Sequence, residues 1–246
     1  MKITPLKILL IYTMLSITAK SHAENLYKSE LKQSCATIKQ YRELGQKFYD
    51  QKQYQKALEQ FKNQASWSAF CLSNAEESGA KISEKDIEIA NNNVGLSYAK
   101  LNKPLWARAW FQIDKHSKIS QFNLKQINES KQTTDLSGEY VNYAGFGEWD
   151  HISISKKNGQ YLIIYSGIYM GITSLIYGPN MGEFDTTMPL NKKQAMYQYE
   201  DCKISLQFKS SNDKGNFIEV NQSESDSGCG FGHNVYAGGT YMKVES

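Results

Sequence analysis

Residues 44–61 read LGQKFYDQKQYQKALEQF, and fifty positions later residues 94–111 read VGLSYAKLNKPLWARAWF. The two stretches share one order: an apolar residue, then Gly45 or Gly95, an aromatic three later (Phe48, Tyr98), an alanine twelve after the glycine (Ala57, Ala107), and a phenylalanine four beyond that (Phe61, Phe111). Spacings of three and four put side chains on one face of a helix, so each stretch reads as a helix–turn–helix hairpin. In the first, one helix spans about 36–51 and the next starts near 54. Cys35 and Cys71 then lie equally far from a turn centred on residue 53. They face each other at the open end of the hairpin and are expected to pair.

The pattern resembles the tetratricopeptide repeat, in which a small residue on helix A and an alanine and an aromatic on helix B lock two helices together. The resemblance covers residues from about 38 to 118 and implies stacked hairpins with a concave, peptide-binding face. This chain departs from the family at three points. Tyr41 and Asn91 stand where the family has tryptophan, the closing proline is missing from both units, and the units lie fifty residues apart. The extra length, 71–82 with Ser78-Gly79, is read as a longer second helix plus a loop.

Outward from the repeat, the composition changes near residue 135. Residues 24–134 are rich in Lys, Gln and Asn, and 135–246 in Gly and Tyr with period-two alternation. The alternation in His151-Ile-Ser-Ile-Ser155, the turn dipeptide Asn158-Gly159 and the return strand Tyr161–Tyr165 form a β-hairpin. Further strands are expected at 136–140, 169–177, 195–199, 202–208, 216–220 and 235–243, about eight antiparallel strands in a barrel or sandwich. Leu136-Ser-Gly-Glu-Tyr140 and Gly238-Gly-Thr-Tyr-Met242 look alike, as the first and last strands of lipocalin-like and avidin-like barrels do, which favours closure. A hairpin turning at Lys214-Gly215 carries Cys229 back toward Cys202, the second expected bridge. The fold class is therefore α+β in two domains: helical hairpins over 24–134 and a lipocalin-like antiparallel barrel or sandwich over 135–246.

The tail Cys229-Gly-Phe-Gly-His-Asn-Val-Tyr-Ala-Gly-Gly-Thr-Tyr-Met-Lys243 resembles the ending of small exported bacterial domains, some of which accompany lysozyme-inhibitor-like modules. That likeness implies an exported protein and hints at inhibition. Residues 1–23 agree with export. Lys2 and Lys7 precede a short apolar run, Ile8–Ile17, and Ser21-His22-Ala23 supplies small residues before a cut. Four cysteines, all outside this segment and with no CxxC, fit two disulfides in an oxidising compartment better than a metal site. A periplasmic or secreted location follows.

Removal of residues 1–23 takes three of the 28 basic side chains and none of the 25 acidic ones, leaving a formal charge of zero. A neutral chain lacks the basic face that nucleic-acid binding needs. Mean hydropathy of −0.56 and the lack of a later apolar span argue against stable membrane insertion. Charge is divided: residues 24–134 carry 17 basic and 12 acidic groups, and 135–246 carry 8 and 13.

Catalytic patterns are scarce. There is no GxSxG, HExxH or P-loop, and no cofactor fingerprint. His151 and His233 with Asp150 could form a base or a metal pair, but two ligands do not make a metal site. Glu148 and Asp150 flank Trp149, and Glu183 and Asp185 flank Phe184, an arrangement that glycosidases use and that exposed turns also explain. No catalytic, cofactor or metal residue is therefore assigned, and no cofactor is expected. The binding candidates are Tyr143, Phe146 and Trp149 in one glycine-bearing loop, with Phe231 and His233 in another. The sequence points to a non-enzymatic protein with a protein partner in the cell envelope, as adaptor, inhibitor or immunity-type protein. A barrel binding a small ligand is the alternative, and a peptidoglycan hydrolase using Glu148 and Asp150 a third reading.

Overall fold

The structure, a computed structural model, describes residues 28–127, 134–171, 174–223 and 228–246. The expected leader at 1–23 and the polar stretch 128–133 before the composition change lie outside these residues. A first helix, α1, occupies 28–36 and breaks at Thr37 into α2 (Ile38–Asp50). Then come α3 (Tyr54–Ser73), the single turn α4 (Ala75–Ser78), α5 (Glu84–Lys100), α6 (Pro104–Ile113) and α7 (Lys118–Gln126). The excess length of the first unit is thus a long α3, one more turn, and a connector ending at Ser83. There the Ser83 hydroxyl accepts from the Asp86 N–H, and the Asp86 carboxylate accepts from the Ser83 N–H, a capping box that starts α5.

Glycine explains how the helices meet. A Cβ on Gly45 of α2 would stand 2.6 Å from the Phe61 ring of α3, and one on Gly95 of α5 would collide with Phe111 of α6 in the same way. Each hairpin closes because a ring lies flat on bare backbone, so a methyl group at either site costs about 1–3 kcal/mol in overpacking. Pro104 takes the first position of α6, where its missing N–H costs nothing. In sequence order α2 packs on α3, α3 on α5 and α5 on α6. Cys35 and Cys71 are bridged at a Cα separation of 5.9 Å, as the symmetry about the turn requires.

Eight antiparallel strands follow: β1 (Gly138–Gly145), β2 (Glu148–Lys157), β3 (Gln160–Tyr169), β4 (Asn180–Pro189), β5 (Gln194–Tyr199), β6 (Cys202–Ser211), β7 (Gly215–Gln222) and β8 (Gly239–Glu245). They form one sheet in the order β4-β3-β2-β1-β8-β7-β6-β5, coiled into a nearly closed barrel. The first and last strands pair, as their likeness anticipates, while the opening falls between β4 and β5. There the Thr186 hydroxyl donates to the Met196 carbonyl at 2.9 Å across the gap.

The expected strand at 169–177 is not one. Strand β3 ends at Tyr169, and Ser174–Tyr177 is a short helical turn, α8. The chain re-enters the sheet at β4, where Phe184 and Met188 point inward while Glu183 and Asp185 alternate outward. Those two acids belong to a strand face and to no turn. The second disulfide, Cys202–Cys229, forms at a Cα separation of 5.1 Å, although the hairpin turns earlier than Lys214-Gly215. Ser211 pairs with Gly215, which sets Gln222 opposite Ile204. Cys229 reaches Cys202 from a 3-10 turn at Gly228–Gly230, past the end of β7.

Period two gives the barrel two cores. Inward positions carry Tyr140, Ile152, Ile163, Tyr165, Ile204, Leu206 and Tyr241, all with zero exposure. The outward positions on β1, β2 and β8, namely Val141, Trp149 and Val244, are buried too because the helices cover them. They share a cluster with Phe61, Trp110 and Phe111. No helix among the described residues is long and apolar enough to cross a membrane.

Candidate functional site

Helix α6 lies against β8 and the β1–β2 hairpin, and three contacts fasten it there. Trp106 donates from Nε1 to Glu245 Oε1 at 3.0 Å, and Lys103 Nζ stands 3.5 Å from the same carboxylate oxygen. The ion pair is half exposed and worth under about 1 kcal/mol. The larger bond is aromatic: Trp149 packs edge-on against Trp106 (5.9 Å between centroids), Trp110 (5.4 Å) and Tyr143 (5.2 Å). Tyr143 and Trp149 are cross-strand partners, so the ladder itself places the two rings side by side.

Beyond these rings the two layers part into a cleft of about 260 Å³. Ala109, Gln112 and Ile113 of α6 form one wall, and Asn142, Tyr143, Trp149 and Met242 of the sheet form the other. Lys115 and Lys214 also line it, the latter with Nζ 4.9 Å above the Phe217 ring centroid. Two features give the cleft its chemistry. Burial raises the Tyr143 hydroxyl above its ordinary pKa, although the hydroxyl accepts from the Gly147 N–H at 3.0 Å. The indole Nε1 of Trp149 is buried without a hydrogen-bond partner among the described residues. A buried donor left unpaired costs about 1–3 kcal/mol.

Tyr143 and Trp149 are thus together in this cleft, while the other sequence candidates lie elsewhere. Phe146 takes a left-handed backbone (φ 52°) between Gly145 and Gly147, and its ring packs on Phe70 of α3 at 5.3 Å. Phe231 covers Gly182 and leans on Tyr165 (5.5 Å) and Phe184 (6.3 Å) at the barrel's edge. His233 is exposed, and its carbonyl accepts from Asn180 Nδ2 at 2.8 Å. His151 Nδ1 stands 4.0 Å from Glu139 Oε2, and burial holds the imidazole below its ordinary pKa. No group of three His, Cys, Asp or Glu among the described residues could hold a metal ion. Sequence reasoning missed Gln112, Lys115 and Lys214, each unremarkable where it stands.

Asp150 is the buried acid of the region. On the inward side of β2, its Oδ1 accepts from the Ile168 N–H at 2.9 Å. Burial pushes its pKa up to about 6, against the opposing pull of Ile168 and Asn142. Because the folded chain binds this proton more tightly than the unfolded one, Asp150 is without penalty below about pH 4 and weakens the fold as pH rises through 6. Asp150→Asn should therefore be more stable than the parent by about 2–3 kcal/mol at pH 8 and no more stable at pH 4. Urea unfolding at both values measures this, and an equal offset at the two would refute it.

Two disulfides and an oxidised cysteine complement mark a chain that folds outside the reducing cytosol. No known protein family, no curated protein and no solved structure matches this chain.

Proposed function

We propose that this is an exported, non-enzymatic binding protein of the bacterial cell envelope that works by protein–protein contact, the cleft between α6 and the barrel receiving a protruding segment of its partner. The unpaired Trp149 indole N–H beside Tyr143 carries the reading, because a backbone carbonyl is the acceptor such a segment offers. Lys115 and Lys214 favour a segment with acidic character. Adaptor, inhibitor and immunity-type roles all use such a contact. The small-ligand alternative needs a hollow barrel, whereas Tyr140, Tyr165 and Tyr241 fill inward positions here. The hydrolase alternative needs an Asp150 that substrate can reach, whereas this side chain is buried on the inward side of β2.

A photo-crosslinking amino acid at Gln112, and as a control at exposed Lys157, tests the proposal in the producing cell's envelope. A discrete protein adduct from position 112 and none from 157 is expected. Failure to capture any protein at 112 overturns the assignment of the cleft.

A further inference from the structure

A second groove lies on the helical half, away from the barrel. It occupies about 240 Å³ between α2, α3 and the connector before α5. Its polar lining is unusual. Gln64 and Ser68, one turn apart on α3, are 3% and 0% exposed, and Gln64 Oε1 and Ser68 Oγ have no hydrogen-bond partner among the described residues. Buried polar atoms are normally paired, and two orphans lining one groove mark a place where a ligand supplies the missing partners. The serine hydroxyl can donate, and the glutamine amide can present either its oxygen or, after a half-turn, its NH2.

Charge says which ligand. Lys39, Arg42 and Lys81, all exposed, line the same groove against one carboxylate among the described residues, Asp86. That carboxylate is already committed: hydrogen bonds from Ser83, reinforced by the charge of Arg42, hold it below the ordinary carboxylate pKa. Lys39 has an exposed partner in Glu43 at 3.8 Å, a contact too weak and too solvated to remove it from service. The groove therefore keeps a surplus of positive charge over a floor with hydrogen bonds to give. Ile38 and Ile82 supply apolar contact beside it.

We propose that this groove is a carboxylate-binding site for an extended peptide, with Arg42 and Lys81 pairing with the carboxylate, Ser68 donating to it and the isoleucines holding the flanking residues. Arginine suits the role because its planar fork meets a carboxylate with two parallel hydrogen bonds. The site is separate from the cleft at α6 and stands whether or not that cleft binds a partner. The carboxylate has two sources, an acidic side chain or a chain terminus.

Fluorescence anisotropy on the full chain with three labelled hexapeptides separates them. The first is Ala-Ala-Glu-Glu-Ala-Ala amide, the second Ala-Ala-Gln-Gln-Ala-Ala with a free terminal carboxylate, and the third the same Gln peptide amidated. The first or the second, or both, should bind at least tenfold more tightly than the third, and the winner names the source. Arg42→Gln/Lys81→Gln should weaken that binding tenfold or more with an unchanged melting temperature, since both side chains are exposed. Ser68→Ala should weaken it severalfold. Equal binding of all three peptides, or full binding by the double variant, overturns the proposal. So does loss of binding in Lys115→Gln/Lys214→Gln, which would place the peptide in the other cleft.

Discussion

Trp149→Ala should lower the unfolding free energy by about 3–5 kcal/mol, the cost of deleting a buried indole whose surroundings cannot collapse. The ring is 8% exposed and touches Trp106, Trp110 and Tyr143, so its loss opens a void against three rigid neighbours. The effect is also directional. Trp149 springs from the barrel, whereas Trp106 and Trp110 belong to α6, so the deletion weakens the seam more than either side of it. Urea unfolding followed by far-ultraviolet circular dichroism gives the magnitude. Amide hydrogen exchange gives the direction: protection should fall first in Pro104–Ile113 and in β8, and last in β3 and β6, away from the seam. A loss below 1 kcal/mol would mean that the ring is not packed between the layers. Partner binding measured on this variant would mix stability with recognition, which is why the contact is better probed from Gln112 on the wall.

How much of this was legible depends on how local each signal is. Asn158-Gly159 reads as a hairpin turn because two consecutive residues must adopt positive φ there, and they do, at 52° and 75°. The Gly45–Phe61 and Gly95–Phe111 pairs are readable because the same contact recurs at one spacing. Cys35 and Cys71 are readable because both are fixed by a single turn. Strand β4 is not: its inward residues, Phe184 and Met188, are separated by Asp185, Thr186 and Thr187, and its apolar content falls below what an alternation search needs. The register of β6 and β7 escaped for the opposite reason, since Ser210 to Gly215 offers several equally good turns and only the ladder chooses among them.

The cleft illustrates a deeper limit. Tyr143, Phe146 and Trp149 announce themselves as large aromatics beside glycines, a composition common to exposed anchors and to buried plugs alike. What separates the two outcomes is a helix about forty residues earlier in the chain, which covers one side of β1 and β2. Gln112 on α6 and Lys115 just past its end give no local sign at all: both read as ordinary solvent-facing polar residues. The orphaned Gln64 and Ser68 are equally silent, because a polar residue on an amphipathic helix is ordinary until its neighbours are known to bury it without pairing it.

Replacing Cys35 and Cys71 together by serine should cost about 4 kcal/mol, the chain-entropy value for a cross-link spanning 36 residues. The figure is large because the region has little else. Among the described residues, the buried apolar side chains around the bridge are Leu31, Ile38 and Phe70, with Trp67, Ala80, Ile82 and Phe146 packed at their edge. Helix α1 breaks from α2 at Thr37, so no continuous backbone ladder carries it onto the hairpin. Without the sulfur link, residues 28–36 keep a few apolar contacts that scarcely repay the ordering of one short helix. The variant should therefore show fast amide exchange over 28–38 already in its native state, and a lower midpoint in urea. The barrel amides should keep their protection until global unfolding, because Cys202–Cys229 and the ladder are untouched. If exchange instead rises uniformly over helices and barrel, the bridge holds up the whole chain and α1 is no separate unit of opening. The same variant bears on the carboxylate groove, since Cys35 lines it next to Ile38. Peptide binding should weaken with the freed helix while the charges of Arg42 and Lys81 remain in place, which tells a positioning role for the bridge from a direct one.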